Sequence, residues 1–200
     1  GGQSSKATPR GAVAKFAAGG KATAKKDLGL EAMSFGDVYV AKIALGANDV
    51  QTVKAFLEAE AWPGVSLIIA YSTCIAHGFD MNQSMTHQKV AVHSGHWPLY
   101  RYRPGAGPET HPFQLDSAAP TVPYRDFARS EARFSMLERS DPERAATLIG
   151  LAQDDVNARW RHYEQLAGIE HRRVAVEQQR LGRPGGRVDD GRLAAREQLR

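Results

Sequence analysis

One cysteine, Cys74, stands among 200 residues. A single thiol cannot close an internal disulfide, and it argues against a structural zinc site built by this chain alone. No window approaches the roughly 20 consecutive apolar residues of a membrane span. No basic stretch leads into an apolar one at the N-terminus as a secretory signal would, so the expected location is cytoplasmic. There is no Walker loop and no G-x-G-x-x-G after a strand, which removes the usual nucleotide cradles. Among the histidines no H-x-H or H-E-x-x-H spacing occurs. The basic start from Lys6 to Lys26 carries Phe16 as its one aromatic residue, too little interleaving for a nucleic-acid surface. The opening Gly1-Gly2-Gln3 has neither an initiator methionine nor an element signal, and reads as a cut from a longer polypeptide.

What is present is a globular composition, 42% hydrophobic with a formal charge of +4. The length suits one core with an appended tail. The central stretch runs from Val65 to Gly78 and sets Cys74 just past an apolar run. That run, Val65 to Tyr71, suits a strand buried on both faces. Val38 to Leu45 is a second apolar run, in which Lys42 needs an outlet to solvent. Between them Asn48 can cap a helix while Gln51 reaches back, with Val50, Val53, Leu57 and Ala61 as its apolar stripe and Trp62-Pro63-Gly64 as its stop. Strand, helix and strand at these lengths predict a parallel pair joined by a right-handed crossover. Gly46-Ala47-Asn48 and Ser72-Thr73-Cys74 then share one edge, where α/β sheets gather their ligands.

Elsewhere the patterns are shorter. A brief helix is expected near Ala12 to Ala18, and another after the capping Asp27 with Gly36 as its stop. A helix from Ser84 to about Ser94 and an edge strand from Leu99 to Arg103 follow. Pro104 to Pro123 reads as a surface arm. Tyr124 to Arg139 reads as one helix. Ser140-Asp141-Pro142-Glu143 restarts the chain into a long helix whose stripe is Ala145, Ile149, Ala152, Val156, Trp160, Tyr163 and Ala167. That helix packs on the sheet or on another subunit. Beyond Gly168 no stripe survives, and residues 169–200 are expected to form a flexible, arginine-rich tail.

Cys74 and His77 form a C-x-x-H pair. Spacing alone favours an inert thiol, and places a cluster completed by cysteines elsewhere behind other readings. His77 is expected to make a loop hydrogen bond; most of the histidines are expected on the surface or in hydrogen-bonded loops.

The residues then match a family. Gly1 to Pro9, Gly11 to Phe16, Lys25-Lys26-Asp27-Leu28-Gly29-Leu30, Gly46-Ala47-Asn48-Asp49, Lys54 to Glu60, Cys74-Ile75-Ala76-His77-Gly78, Ser94 to Tyr102 and Asp154 to Trp160 resemble, collinearly, the pyruvate:ferredoxin (flavodoxin) oxidoreductases. The resemblance covers about Gly1 to Ala167; Arg10, the Pro104–His111 region and everything past Gly168 depart from it. It implies a C-terminal fragment of an α/β enzyme. Residues 1–123 would form part of a thiamine-diphosphate-binding domain, and residues 124–168 helices packed on it. The enzyme so implied oxidatively decarboxylates pyruvate with CoA to acetyl-CoA, using thiamine diphosphate and Mg2+. Its electrons pass through [4Fe–4S] clusters to flavodoxin or ferredoxin. Cys74 falls on the position of a cluster ligand whose three companions lie upstream, and Gly1 and Gly2 fall at the end of the thiamine-diphosphate loop. No catalytic residue falls within these 200 residues, and the isolated chain is expected to be inactive. The implied partners are the upstream part of the polypeptide and a second copy as a homodimer, with no membrane and no nucleic acid. Another 2-oxoacid oxidoreductase, or a non-catalytic basic binding module, are the alternatives.

Overall fold

The computed structural model describes residues 2–105 and 111–168; Gly1, part of the Pro104–Pro123 arm and the expected tail at 169–200 lie outside the described residues. Four strands form one mixed sheet in the order β2-β1-β3-β4. β1 (Tyr39–Ile43) runs parallel to β2 (Ser66–Ala70), with Lys42 opposite Ile69, and antiparallel to β3 (Tyr100–Tyr102), with Lys42 opposite Tyr100. β4 (Phe113–Leu115) completes the sheet antiparallel to β3. The expected α/β class, with its parallel pair and crossover helix, is what the chain adopts.

The buried strand is β1, covered at all five positions, whereas β2 sits at the sheet edge with Ser66 and Ala70 exposed. Apolar content alone could not separate the two, because β3 takes the far side of β1 and leaves β2 outermost. β3, expected at an edge, is internal for the same reason: Phe113–Leu115 is a strand hidden in a stretch that reads as an arm. Three residues are too few to show a period.

α1 (Leu28–Met33) starts at Asp27, whose carboxylate accepts the Leu30 N–H at 3.3 Å. The crossover α2 (Asp49–Glu60) starts at Asn48, whose side chain accepts the Gln51 N–H at 2.8 Å. Its orientation reverses the expectation. Val50, Val53 and Leu57 are 74%, 58% and 61% exposed, while Gln51, Thr52 and Ala55 face the sheet. Hydrogen bonding decides it: the Gln51 amide donates to the Lys42 carbonyl at 3.3 Å and to Asp116 at 3.0 Å instead of reaching back to Asn48. Arg101 reinforces the same side, donating twice to Asp116 at 2.9 and 2.8 Å and pairing with Glu58 of α2.

The short helix near Ala12 is absent. Its backbone bonds elsewhere, with Val13 N–H donating to Arg133 O at 2.8 Å and Lys21 N–H to Ala12 O at 3.0 Å, and Gly11 turns at φ 83°. Residues 2–26 therefore lie as a strap against the body. α3 (Ser84–His93) is as expected. The single helix expected from Tyr124 to Arg139 is two, α4 (Tyr124–Arg129) and α5 (Ala132–Ser140), broken at Ser130-Glu131. α6 (Pro142–Gly168) buries Ala145, Leu148, Ala152, Val156 and Tyr163 against α4, α5 and β4, leaving Trp160 half-buried. Its first turn is capped by Asp141, which accepts the Arg144 N–H at 3.1 Å; the Ser140 hydroxyl donates instead to Leu137 O.

Candidate functional site

The carboxyl ends of β1 and β2 point to the same edge. Tyr71 N–H still donates to Ile43 O at 2.9 Å before the two chains part. α3 holds both departing loops: the Thr73 and Ser84 hydroxyls lie 2.7 Å apart, and the Gln88 amide oxygen accepts the Gly46 N–H at 3.0 Å. Cys74 follows in extended backbone, a free and half-buried thiol at the start of a single 3-10 turn, Ile75–His77. Gly78 then reverses the chain at φ 73°. The strap returns to this edge as well, since a β-carbon on Gly2 would lie 3.8 Å from that of Ala76. Gly2 and the Cys74 turn, separate in sequence, are neighbours; Gly1 lies outside the described residues.

What fixes the turn is a group of residues that no motif announced. Ala132 N–H donates to Gly78 O at 2.9 Å, so the turn is tied to the start of α5. Just before it sits Glu131, fully buried. Its carboxylate meets His87 Nε2 at 2.9 Å and accepts Arg133 Nε at 2.5 Å, and His77 Nδ1 approaches to 3.5 Å. Burial alone would raise the Glu131 carboxyl, but the His87 hydrogen bond and the Arg133 charge outweigh it and hold it below the usual range. Burial pushes His77 down to about 4, and the charge of Arg133 acts in the same direction. The loop hydrogen bond expected of His77 is not made: Nδ1 lies just beyond bonding geometry from Glu131 and has no other partner among the described residues. Two further histidines are buried, unlike the surface or loop setting expected of most. His87 lies in α3, and His96 stacks against Tyr124 and Phe127 with its pKa driven well below the usual value by burial.

A cavity of about 270 Å³ opens at this edge, lined among others by Gln3, Ser5, Tyr71, Ser72, His77 and Arg133. It is polar, and both the Arg133 guanidinium and Lys25 line it. Among the described residues no group of three His, Cys, Asp or Glu side chains is placed to hold a metal ion. Glu131 and Arg133 were invisible in sequence because they read as ordinary polar positions of one continuous helix, without a Gly or Pro to mark the break. Gly78 carries a clear local requirement. A β-carbon there would overlap Ala132 at a backbone angle that L side chains resist. Gly78→Ala is expected to lose about 1–3 kcal/mol in urea unfolding; a midpoint matching the parent protein would contradict the pinned turn.

No family profile matches the chain. Curated relatives do. The chain is 62% identical over 168 residues to the putative pyruvate-flavodoxin oxidoreductase of Synechocystis sp., covering 84% of this chain and 14% of that protein. It is 54% identical over 168 residues, with the same coverage of both chains, to the pyruvate:ferredoxin oxidoreductase of Moorella thermoacetica. It is 48% identical over 169 residues, 79% of this chain and 8% of the relative, to the pyruvate dehydrogenase [NADP(+)] of Cryptosporidium parvum. The chain thus spans about one seventh of the length of the first two.

Proposed function

The chain belongs, as a segment, to the pyruvate-flavodoxin and pyruvate:ferredoxin oxidoreductases, and on that premise we propose that Cys74 is one thiolate ligand of a [4Fe–4S] cluster in such an enzyme. The observation that carries this reading is the placement of the chain's one thiol: free, half-buried, and at the carboxyl edge of the parallel pair, at the start of the turn whose Ala76 approaches Gly2. Such clusters take four thiolates as a rule. The remaining three come from the part of the polypeptide outside this segment.

The reaction so proposed is oxidation of pyruvate with CoA to acetyl-CoA and CO2, with electrons leaving to flavodoxin or ferredoxin. The relatives' names differ in the acceptor and agree on pyruvate. Thiamine diphosphate with Mg2+ supplies the decarboxylation chemistry and the iron–sulfur clusters the one-electron steps. This chain's own residues position. Gly1 and Gly2 end the cofactor loop, where the absence of a side chain leaves the backbone free to approach. Glu131, His87 and Arg133 brace the Cys74 turn, so that its thiolate would be pre-positioned to hold an iron of the cluster. His77, kept neutral by burial, adds no further positive charge beside Arg133 and Lys25. Residues 1–123 act as part of the thiamine-diphosphate domain with residues 124–168 packed on it, in a protein that works as a homodimer.

The decisive experiment uses the complete polypeptide. Cys74→Ala is expected to remove one cluster's worth of iron and its electron-paramagnetic signal from the reduced enzyme. Pyruvate-dependent reduction of flavodoxin or ferredoxin should fall to background. Full iron content with an undiminished reductase rate would overturn the assignment.

A further inference from the structure

A second cavity, of about 500 Å³, lies between the sheet and the strap. Its floor is one cross-strand row, Ile69, Lys42 and Tyr100, set side by side by the register of β2, β1 and β3. Its walls are Trp97, Lys25 and the start of α1 at Asp27. Lys42 was expected to need an outlet to solvent, and it has none through the outer surface: it is 5% exposed, and its ammonium lies 4.4 Å from the Trp97 ring centre. No carboxylate pairs with it and no hydrogen bond satisfies it among the described residues. The Tyr100 hydroxyl, buried beside it, also lacks a partner in bonding geometry.

The charge around this space is one-sided. Lys25 lies 5.5 Å over the same indole ring, and its ammonium donates at 3.0 Å to the Ala7 carbonyl. Arg159 of α6 spends one guanidinium nitrogen on the Gly95 and His96 carbonyls and leaves Nε buried without a partner. After burial itself, the charge of Arg159 is the largest influence lowering the affinity of both lysines for their protons, with Lys25 adding to it at Lys42 and Asp27 opposing it at both. The one carboxylate lining the cavity, Asp27, is already committed to the first turn of α1 and to the Tyr163 hydroxyl. An unpaired cation out of water is among the most unfavourable features a fold can keep. Aromatic faces offset part of that. A bound anion would offset the rest.

We propose that this cavity is a binding site for a small molecule bearing a carboxylate or phosphate group, held against Lys42 and Lys25 with the Trp97 and Tyr100 rings beside it. The volume is that of a small-ligand pocket. The inference stands apart from the cluster assignment: Cys74 takes no part in it, and it holds or fails on the unmodified thiol.

The test is thermal unfolding of the full 200-residue chain in sodium phosphate, sodium acetate and, at matched ionic strength, sodium chloride. A ligand that binds the folded state alone raises the melting temperature in a saturable way. A shift in phosphate alone assigns a phosphate-bearing ligand, and one in acetate alone a carboxylate-bearing ligand; both are expected to exceed chloride. Lys42→Met should abolish the shift while leaving the unliganded protein at least as stable, because it removes a buried unpaired charge at similar volume. Lys25→Gln, at a half-buried position, should weaken the apparent affinity about tenfold through loss of one charge-assisted contact. No saturable shift in either anion, or a shift unchanged in both variants, would overturn the proposal.

Discussion

Glu131→Ala is expected to lose about 3–5 kcal/mol of stability, the range found when one partner of a buried ion pair is deleted. The carboxylate is fully buried and answers three neighbours at once, with Arg133 at 2.5 Å, His87 at 2.9 Å and His77 at 3.5 Å. Alanine leaves the Arg133 guanidinium buried, with its contact to the Phe134 ring as the remaining compensation. It also opens a polar void beneath the turn that carries Cys74. Glu131→Gln keeps the volume and one acceptor oxygen, so about 1–3 kcal/mol is expected. Urea unfolding measures both, as a fall in the midpoint at constant slope. Alanine within 1 kcal/mol of the parent would show that Arg133 finds water on its own, and that Glu131 does not brace the site. Because Ala132 N–H still holds Gly78 O, the turn itself survives, and the alanine variant should expose Cys74 to thiol reagents faster without unfolding.

Much of the framework follows from local rules that the chain obeys. The caps at Asp27 and Asn48, the stop at Gly36, and the strand, helix and strand of the crossover depend on residues within one turn of each other, where short-range chemistry dominates. The edge position of Cys74 follows from that topology, not from the cysteine. What could not be read depends on partners distant in sequence. Val50, Val53 and Leu57 make a fair apolar stripe, yet Gln51 finds the Lys42 carbonyl and Asp116, 65 residues away, and turns the other face inward. Glu131 becomes the centre of the site through His87, 44 residues away. Periodicity carries no information about such pairs. The family resemblance singled out Cys74, because motif recognition works residue by residue. It was silent on Glu131, Arg133 and the lysines of the second cavity.

Acid should destabilise the fold well before carboxylates titrate as a class. His77 has its ordinary value of 6.5 in the unfolded chain and about 4 in the folded one. Between those values the unfolded state binds a proton that the folded state refuses, so stability falls as pH falls. The slope approaches 1.4 kcal/mol per pH unit for one such group. Integrated over the window, the loss is up to about 3 kcal/mol. His96, depressed by burial among aromatic rings, acts in the same direction. Glu131 continues the trend below that window. Its folded pKa lies under the usual 4.5, so its contribution is present above the unfolded value and is lost as pH drops through the folded one. Above about pH 7.5 these groups have the same protonation in both states, and stability should be level with respect to them. The measurement is the unfolding free energy from pH 7.5 to 4.5 in a zwitterionic buffer, which avoids filling the lysine cavity with buffer anions. A fall of at least about 2–3 kcal/mol is expected in the parent chain, with a visibly shallower slope in His77→Gln. A flat profile down to pH 4.5 would mean that water reaches His77 and that the Cys74 turn is looser than its contacts imply.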